Sequence, residues 1–540
     1  VLLLFAVLTA LLARAQPSTE WQRVAGGFYQ IGVYSSAPDA TGHIYTAGFG
    51  PGPFDFGSGV TVPSTMNGMV LARYDSLGTI NWARALTTTP DELVYIAGIA
   101  ANSEGDLWVC GYFESATLTL DTIVLTGIEP RVRSFLARFD STGAVEFATA
   151  WGNPLDSDTT PIDLYVDDQD NVLVTGTTFD PNLTVGGLTL TFTEGWEQLY
   201  AVKFDASGNG IWGNVSNSPP GGSQGGPNAR CITADALGSA YVAGTIMGML
   251  VMDGDTVDAD NITAHGILIK LGPTGTVEHM RVMADCDPVD ITADDEGNAY
   301  VCGIIESEAI FNNDTLVPSA IDGFVAAYDS SGAYRWVIGV SGADDNEWCS
   351  SVVLTDPQDA MYVGGTFVLG AWFGDVYMQT GSAPTDGFVM QVDTAGAVTW
   401  VKDMTGDGPT VSAEVHFDRL GHLYTSGITQ SQTIFLGEPV ANVFGNRGFL
   451  ARFADVITNA PLVEEPVGAP LYPNPCAGSF TLALPSDART VIIQDVQGRE
   501  CDRVAVRSSR TSSHHIDVPG IYYATVLSDN ARTVQRVIVE

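Results

Sequence analysis

The chain has 540 residues, of which 45% are apolar, enough to build several domains or one large repeat domain. Acidic residues outnumber basic ones by 63 to 23, the net charge is −40, and the lysines are Lys203, Lys270 and Lys402. Without clustered basic residues, nucleic acid and anionic membranes are disfavoured as partners. The acidic surplus suits the solubility of an exported protein, with binding of cations or of a basic partner as the alternative.

The first fifteen residues have the pattern of a secretory signal peptide. Residues 1–12 are almost wholly apolar and lead into Ala13-Arg14-Ala15, a small-x-small cleavage pattern before Gln16. This run is too short to span a bilayer, and no later apolar stretch reaches about eighteen residues. We therefore expect export, removal of residues 1–15, and no integral membrane segment in the mature chain.

A ten-residue phrase occurs seven times in an ungapped alignment, with an Asp or Asn at its start, a Gly at its end, and Gly or Asp and then an aromatic residue or Leu between them. The first and last residues of the copies are Asp39 and Gly48, Asn102 and Gly111, Asp167 and Gly176, Asp235 and Gly244, Asp294 and Gly303, Asp356 and Gly365, and Asp418 and Gly427. An apolar run precedes each copy, so each copy predicts two strands joined by a tight turn in which the Asp binds the backbone ahead of it. The fixed place of the aromatic residue indicates packing between repeats and not a ligand site.

A second phrase follows each of the first six copies after about thirty residues and reads aromatic, Asp, x, x, Gly, x, x, x, Trp in its commonest form. The residues at its last position are Trp82, Phe147, Trp212, His279, Trp336 and Trp400. It predicts a second hairpin, hence four strands in each unit, and seven such units predict a β-propeller. The units are 59 to 68 residues long. We expect the additional residues, which lie mostly between the second and third strands, to form surface loops.

The two ends of the repeat region complement each other. The seventh copy stops at Asp455 without a fourth strand, whereas Trp21 begins a segment similar to that at Trp82 but stands before the first unit. We therefore predict an all-β, seven-bladed propeller over residues 16–455, in which the N-terminal segment at Trp21 supplies the missing outer strand. Closing the ring removes the exposed edges of an open array.

Over about residues 21–455 the repeat resembles the seven-bladed propeller repeats of exported Bacteroidetes proteins. That resemblance implies a fold and a habitat, and it brings no shared catalytic residues. A Pro-rich linker is predicted at 456–470 and a small Ig-like β-sandwich at 471–540.

The C-terminal segment resembles the sorting domain of the type IX secretion system. The resemblance rests on the opening Tyr472-Pro473-Asn474-Pro475, a turn ending at Gly498, the strand with Gly520 and Tyr522, and a basic-apolar finish. It implies that residues 471–540 engage the secretion translocon after passage through the periplasm and are then removed. The mature chain would be released or attached to the outer cell surface.

The sequence offers little sign of catalysis. The nucleophile-elbow spelling around Ser223 lies among prolines and glycines that indicate a loop, and the histidines lack zinc-site spacing. With 63 carboxylates, no glycosidase pair can be selected. We predict no catalytic residues and no cofactor, with calcium at Asp253, Asp255, Asp258 and Asp260 as a weak candidate. Pairing of Cys476 with Cys501 is left open.

Three functions fit these observations. The first is a monomeric, exported binding or adhesion protein, without catalysis, for an unknown protein or glycan ligand. The second is an extracellular hydrolase or lyase that acts on polysaccharide. The third is a structural component of a surface layer or biofilm. Because the repeated phrase is scaffold, function is expected where the seven copies differ.

Overall fold

The structure of the protein is a computed structural model. The structure describes residues 17–25, 32–50, 53–56, 58–63, 69–89, 93–127, 132–152, 158–193, 196–219, 226–260, 263–342, 346–355, 358–380, 383–418, 420–431, 434–436, 438–439, 446–454, 471–472, 479–484, 488–495, 500–506, 511–516, 518, 520–528 and 532–539. The chain divides into two compact units, Val1–Val456 and Ile457–Glu540. The described part contains no helix long and apolar enough to cross a membrane.

All described elements of the first unit are strands. In chain order they are β1 (Thr19–Ala25), β2 (Gly32–Pro38), β3 (Ile44–Phe49), β4 (Phe54–Asp55), β5 (Thr61–Val62), β6 (Met69–Tyr74), β7 (Ile80–Leu86), β8 (Thr88–Thr89), β9 (Val94–Ala101), β10 (Leu107–Phe113), β11 (Thr117–Leu120), β12 (Ile123–Thr126), β13 (Arg133–Phe139), β14 (Val145–Trp151), β15 (Thr159–Val166), β16 (Val172–Thr178), β17 (Asn182–Val185), β18 (Leu188–Thr191), β19 (Gln198–Phe204), β20 (Gly210–Val215), β21 (Asn228–Ala234), β22 (Ala240–Ile246), β23 (Met249–Met252), β24 (Asp255–Asp258), β25 (His265–Leu271), β26 (Val277–Val282), β27 (Asp287–Ala293), β28 (Ala299–Ile305), β29 (Ala309–Phe311), β30 (Asp314–Leu316), β31 (Asp322–Tyr328), β32 (Tyr334–Gly342), β33 (Trp348–Leu354), β34 (Ala360–Val368), β35 (Gly370–Phe373), β36 (Val376–Gln379), β37 (Thr385–Asp393), β38 (Val398–Asp403), β39 (Thr410–Phe417), β40 (Leu423–Thr429), β41 (Ile434–Phe435), β42 (Glu438–Pro439) and β43 (Arg447–Phe453).

These strands form seven antiparallel blades of four strands each. From the innermost strand outward the blades are β2-β3-β6-β7, β9-β10-β13-β14, β15-β16-β19-β20, β21-β22-β25-β26, β27-β28-β31-β32, β33-β34-β37-β38 and β39-β40-β43-β1. Successive innermost strands pack side by side, and β39 packs against β2, so the blades form a closed ring. The predicted seven-bladed propeller is confirmed.

The last blade takes its outermost strand from the N-terminal segment. Strand β1 pairs antiparallel with β43, and Trp21 lies opposite Arg452. The indole of Trp21 is buried and contacts Tyr424 in the same blade. The predicted closure by an N-terminal strand is therefore confirmed.

The Asp of the first phrase organises the turn between the first and second strands. In the first blade, one carboxylate oxygen of Asp39 accepts the backbone N–H groups of Thr41 and His43 at 2.8 and 3.0 Å. Asn102, Asp167, Asp235, Asp294 and Asp418 bind their own turns in the same way. These side chains stabilise the hairpins, as expected for Asp and Asn in turns.

The sixth blade departs from this pattern. Its turn is one residue longer, because Leu354 pairs with Met361, whereas Pro38 pairs with Ile44 in the first blade. Thr355 binds across the turn, where its hydroxyl accepts the N–H of Ala360 at 3.2 Å. The ungapped alignment was therefore wrong by one residue at this turn, and Asp356 itself lies outside the described residues.

The additional residues between the second and third strands form hairpins and not the expected loops. Each of the seven blades carries one: β4–β5, β11–β12, β17–β18, β23–β24, β29–β30, β35–β36 and β41–β42. Several reach the preceding blade: β35 pairs with β32, and Asp121 accepts a hydrogen bond from Arg84 at 2.7 Å. The hairpins thus add contacts between neighbouring blades.

The aromatic residue of the second phrase joins each blade to the next. The nitrogen atoms of Trp21, Trp82 and Trp336 donate to backbone carbonyls of the following blade at 3.0 to 3.1 Å. A Cβ placed on the glycine of the following second phrase would lie 3.0 Å or less from the ring in six blades, at Gly78, Gly143, Gly208, Gly275, Gly332 and Gly396. We refer to these six contacts as the aromatic–glycine rim. They explain why the phrase requires a glycine four residues before the aromatic position.

The second unit contains two antiparallel sheets. Its strands are β44 (Leu471–Tyr472), β45 (Ser479–Ala483), β46 (Ala488–Asp495), β47 (Glu500–Ala505), β48 (Thr511–His515), β49 (Gly520–Ser528) and β50 (Arg532–Val539). One sheet is β44-β45-β48 and the other β47-β46-β49-β50. Phe480 and Leu482 of the first sheet share a buried cluster with Val491, Ile493 and Ala524 of the second. This is a small two-layered β unit, and an Ig-like connection stays a prediction.

Candidate functional site: the central channel

A cavity of about 930 Å³ lies along the axis of the propeller. The innermost strand of every blade lines it, so this central channel is the place where all seven copies meet. A volume of this size lies within the range of small-molecule sites, about 300 to 1,000 Å³. Differences among the seven innermost strands are therefore presented on one surface.

Each innermost strand carries a β-bulge at the same place. The bulge lies opposite the terminal glycine of the first phrase, where one residue has no partner on the second strand. The residues that follow the bulge, here called the inner ring, are Ser35, Gly98, Asp163, Cys231, Asp290, Ser351 and Glu414. A bulge redirects side chains and leaves backbone groups unpaired, so the inner ring must supply hydrogen-bond partners.

Inner-ring side chains bind backbone N–H groups of the next blade. Asp163 accepts the N–H of Ile232 at 2.9 Å, and Asp290 accepts that of Val352 at 2.8 Å. Glu414 accepts the N–H of Ser36 across the junction between the last and first blades. The carboxylates therefore connect the third blade to the fourth, the fifth to the sixth, and the seventh to the first.

Two of these carboxylates bind a second N–H group. Asp163 and Asp290 also accept the N–H of their own following residue, each at 2.8 Å. The inner-ring residues of the preceding blades are Gly98 and Cys231, which have no strong acceptor in their side chains. Each Asp thus satisfies the donor that the preceding blade leaves open.

Burial raises the pKa of two inner-ring acids, Asp163 and Asp290. Burial raises the pKa of Asp163 to about 8, and the nearby charge of Asp290 adds to the increase. Burial likewise raises the pKa of Asp290 to about 6, despite the two backbone hydrogen bonds that favour its ionised form. Both residues contact the channel, but protein surrounds them on the other sides, so desolvation outweighs hydrogen bonding.

At the end of the channel where the innermost strands begin, several side chains are exposed to solvent. We call Arg230, Asp287, Val289 and Trp348 the channel mouth. Arg230 binds Asp287 through two hydrogen bonds of 2.9 and 2.7 Å. Val289 is 39% exposed and Trp348 is 42% exposed. These side chains project from the fourth, fifth and sixth blades, whereas the inner-ring carboxylates are directed toward backbone.

The predicted calcium candidates lie on the β23–β24 hairpin and after it, away from the channel. Asp253 accepts hydrogen bonds from Asn214 and from the N–H of Val277, and Asp260 lies 3.2 Å from His265. Asp255 and Asp258 are exposed at the two ends of β24. Within the part of the chain that the structure describes, no group of three or more His, Cys, Asp or Glu residues is arranged to hold a metal. Calcium binding stays an untested prediction.

Several predicted sites lie wholly or partly outside the described residues. Pro473, Asn474, Pro475 and Gly498 of the sorting motif are not described, and neither are the loop at Ser223, Cys476 or the proposed signal peptide. Tyr472 lies in β44, and Gly520 and Tyr522 lie in β49. The Tyr522 hydroxyl donates to the carbonyl of Val518 at 2.8 Å. Cys110, Cys231, Cys286, Cys302 and Cys349 are buried thiols.

Comparison with known protein families identifies the C-terminal unit. Residues 470–540 match the family described as "Secretion system C-terminal sorting domain". The protein is secreted or held at the outer cell surface. The predicted type IX export route is thereby confirmed, and assignment of the chain to Bacteroidetes stays a prediction. No curated protein matches the chain.

Solved structures resemble the chain only distantly. One is BamB from Moraxella catarrhalis, at 12% identity and a TM-score of 0.35, covering 81% of this chain and 99% of that chain. A protein of unknown function from Dyadobacter fermentans is 8% identical, with a TM-score of 0.35 and coverage of 80% and 99%. A Synechocystis apocarotenoid oxygenase mutant is 11% identical, with a TM-score of 0.37 and coverage of 78% and 89%. Likeness at this level carries no functional conclusion.

Sequence reasoning did not identify the inner ring or the channel mouth. The inner-ring residues lie thirteen positions before the terminal glycine in six copies and fourteen in the sixth blade. Three acids at one offset, Asp163, Asp290 and Glu414, were therefore a signal in the alignment. The bulge obscures this signal. Simple alternation along a strand predicts the wrong side of the sheet for every residue that follows an unpaired position.

Proposed function

We propose that this protein is a secreted binding protein without catalytic activity, which takes its ligand at the channel mouth. The observation that carries the proposal is that two groups of side chains in the channel have different partners. The inner-ring carboxylates bind backbone N–H groups of the scaffold, whereas Trp348, Val289 and the Arg230–Asp287 pair project to solvent. Exposed aromatic and Arg side chains are the residue types that dominate binding energy in protein interfaces.

The export route supports the same proposal. A protein delivered outside the cell meets macromolecules and glycans of its surroundings, and a rigid ring presents side chains to them with little loss of conformational entropy. The face on which the channel mouth lies is thus suited to recognition.

The test compares two exposed tryptophans. Purified protein is applied to arrays of glycans and peptides, and the soluble fraction is analysed for cleavage products. Saturable binding without products is expected. Trp348→Ala should weaken binding about tenfold or more. Trp372→Ala should not, because Trp372 is 52% exposed but lies on strand β35 of an inserted hairpin. Equal loss in both variants, or none in either, would contradict a binding site at the channel mouth.

A hydrolase that acts on polysaccharide is the second candidate. It is favoured by two carboxyl groups in one cavity, Asp163 and Asp290, whose pKa values are raised to different extents, to about 8 and about 6. Such a difference is the pattern of a general acid beside a base. Release of reducing sugar by the wild type, lost in both Asp163→Asn and Asp290→Asn, would establish this candidate and overturn the binding proposal.

A further inference from the structure

The channel mouth is a continuous strip across three neighbouring blades. Asp287 lies three residues before the inner-ring Asp290, and Trp348 lies three residues before Ser351, so the two occupy equivalent positions in the fifth and sixth blades. Arg230 and Val289 occupy the bulge itself in the fourth and fifth blades. Arg230 reaches Asp287 across one blade boundary. Because β27 and β33 pack side by side, the equivalent positions of Asp287 and Trp348 are neighbours across the next boundary.

The strip combines an apolar half with a polar half. Trp348 is 42% exposed and Val289 is 39% exposed, so an indole and an isopropyl group form the apolar half. The Arg230–Asp287 pair offers planar donors and acceptors, and its two side chains are 41% and 34% exposed. A pyranose ring has a face of C–H bonds that packs on an aromatic ring, and an edge of hydroxyl groups that donate and accept hydrogen bonds. The two halves of the strip match these two parts of a sugar.

The charges of the region discriminate among sugars. The guanidinium of Arg230 is already neutralised by the carboxylate of Asp287 through two hydrogen bonds. Besides the protonated Asp163, eight acidic residues line the cavity, whereas Arg230 is the one Arg or Lys among its described lining residues. The whole chain has a net charge of −40. An anionic sugar would enter a region of negative potential in which Arg230, the Arg among the described lining residues, is already paired. The strip therefore favours a neutral glycan.

A buried hydroxyl group provides an independent observation. Thr366 lies directly opposite Trp348 in the adjacent strand, lines the same cavity, and is only 5% exposed. Its hydroxyl oxygen has no hydrogen-bond partner. An unsatisfied buried hydroxyl costs free energy, and rotation about its Cα–Cβ bond allows it to bind a polar group placed in the cavity.

We propose that the channel mouth binds a short neutral oligosaccharide, with a sugar ring stacked on Trp348 and its hydroxyl groups bound by Arg230, Asp287 and Thr366. This inference rests on the proposed binding function and adds the chemical class of the ligand. It requires no covalent step.

The test titrates the full chain with defined oligosaccharides in a calorimeter. The probes are the neutral cellohexaose, laminarihexaose, mannohexaose and chitohexaose, with oligogalacturonate as the anionic probe. At least one neutral probe should bind, and oligogalacturonate should not. Trp348→Ala should weaken binding about tenfold or more, the value expected for loss of an aromatic contact, while Trp372→Ala binds like the wild type.

A variant of Thr366 separates ligand binding from stability. Thr366→Val keeps the shape of the side chain but removes the hydroxyl, so binding should weaken about fivefold while the melting temperature is unchanged or rises. Wild-type affinity in this variant would remove Thr366 from the site. A melting temperature that falls would show that the hydroxyl is satisfied within the fold.

The remaining outcomes separate the two proposals. Binding of peptides or oligogalacturonate alone, lost in Trp348→Ala, would overturn the neutral-glycan proposal and leave the binding function standing. Cleavage of any neutral probe would overturn the binding function itself. Absence of binding to all four neutral probes would overturn the glycan proposal.

Discussion

The aromatic–glycine rim and the inner ring join the same seven blades by different chemistry. At the rim, one arrangement recurs, a ring from one blade against a glycine of the next, with Trp, Phe or His as the ring. At the inner ring, five residue types occupy seven equivalent positions. Every rim contact requires a flat ring against a glycine, so the same residue types recur from blade to blade. The inner ring needs only an acceptor for each backbone N–H, so its sequence can differ from blade to blade.

Removing β1 should give the largest effect, because it takes away the strand that completes the seventh blade and with it Trp21 of the rim. Deletion of residues 17–25 is expected to lower the free energy of unfolding on the order of 5 kcal/mol through exposed apolar area and an open strand edge. Thermal denaturation followed by circular dichroism measures this. An unchanged melting profile would mean that β1 does not close the ring, and Trp372→Ala controls for loss of an exposed indole.

Alanine substitutions at two glycines with nearly the same φ distinguish the cost of overpacking at the rim from the cost of backbone strain. Gly275 has φ of +81°, and a Cβ there would lie 2.5 Å from the ring of Trp212, whereas Gly187 has φ of +82° and open space around it. Gly187→Ala should cost about 1 kcal/mol from strain alone. Gly275→Ala should cost about 2 to 4 kcal/mol, since overpacking is added. Equal losses in urea denaturation would argue against rim packing.

The inner ring should make stability fall as pH rises. Between about pH 4 and pH 8 the folded chain holds a proton on Asp163 that the unfolded chain has released, so the free energy of unfolding decreases with pH over that window. Asp163→Asn should remove roughly 2 kcal/mol of this decrease, because solvent in the channel screens part of the charge. Melting temperatures of the wild type and of Asp163→Asn at pH 5 and pH 8 measure how strongly the stability of each depends on pH.

Asp205, an acid in a turn, serves as a control because its pKa is shifted in the opposite direction. The pKa of Asp205 is lowered by its hydrogen bonds to Asn209 and to the backbone of its turn. Its contribution is therefore present above its ordinary pKa and lost as pH falls through the lowered value. Asp205→Asn should leave the slope between pH 5 and pH 8 unchanged. If Asp163→Asn also left it unchanged, Asp163 would not hold a proton in the folded chain.

The smallest effect is expected from a single hydroxyl of the repeated phrase. The Tyr241 hydroxyl lies 2.9 Å from Asp235 and 3.0 Å from the carbonyl of Gly297 in the next blade. Tyr241→Phe should cost about 1 to 2 kcal/mol by leaving a buried carboxylate oxygen without this donor. Tyr377→Phe, at a residue 54% exposed, should cost nothing measurable. If urea denaturation gave equal free energies of unfolding for the two variants, the Tyr241 hydroxyl would not contribute to the packing of the blades.

The architecture could be predicted because it is carried by residues with local and repeated roles. The turn Asp residues and the rim aromatics appear at fixed spacings, and Trp21 at one end complements the missing strand at the other. The inserted hairpins were also accessible in principle, since Asp253-Gly254 between alternating residues is a two-residue turn signal. The same aspartate also belongs to the acidic cluster of Asp253, Asp255, Asp258 and Asp260, which obscures the turn signal.

The candidate site could not be predicted to the same degree, because it depends on contacts between distant segments. Asp163 owes its role to Ile232 in the next blade and to Gly98 in the preceding one. Trp348 and Arg230 face one cavity only after three blades are in place. The one-residue extension at Thr355 shifts the sixth copy, so even an alignment of repeats would have set Trp348 out of register with Asp287.

The pairing of β1 with β43 has a consequence for synthesis. Trp21 and Arg452 lie opposite each other but are separated by almost the whole propeller sequence. Closing the ring therefore costs more loop-closure entropy than forming any single blade. The matched sorting domain begins at residue 470, shortly after β43 ends at Phe453. A chain that terminates before β43 lacks both the partner of β1 and the export address. We therefore expect that a chain truncated before β43 is not secreted, because its sorting domain is missing as well.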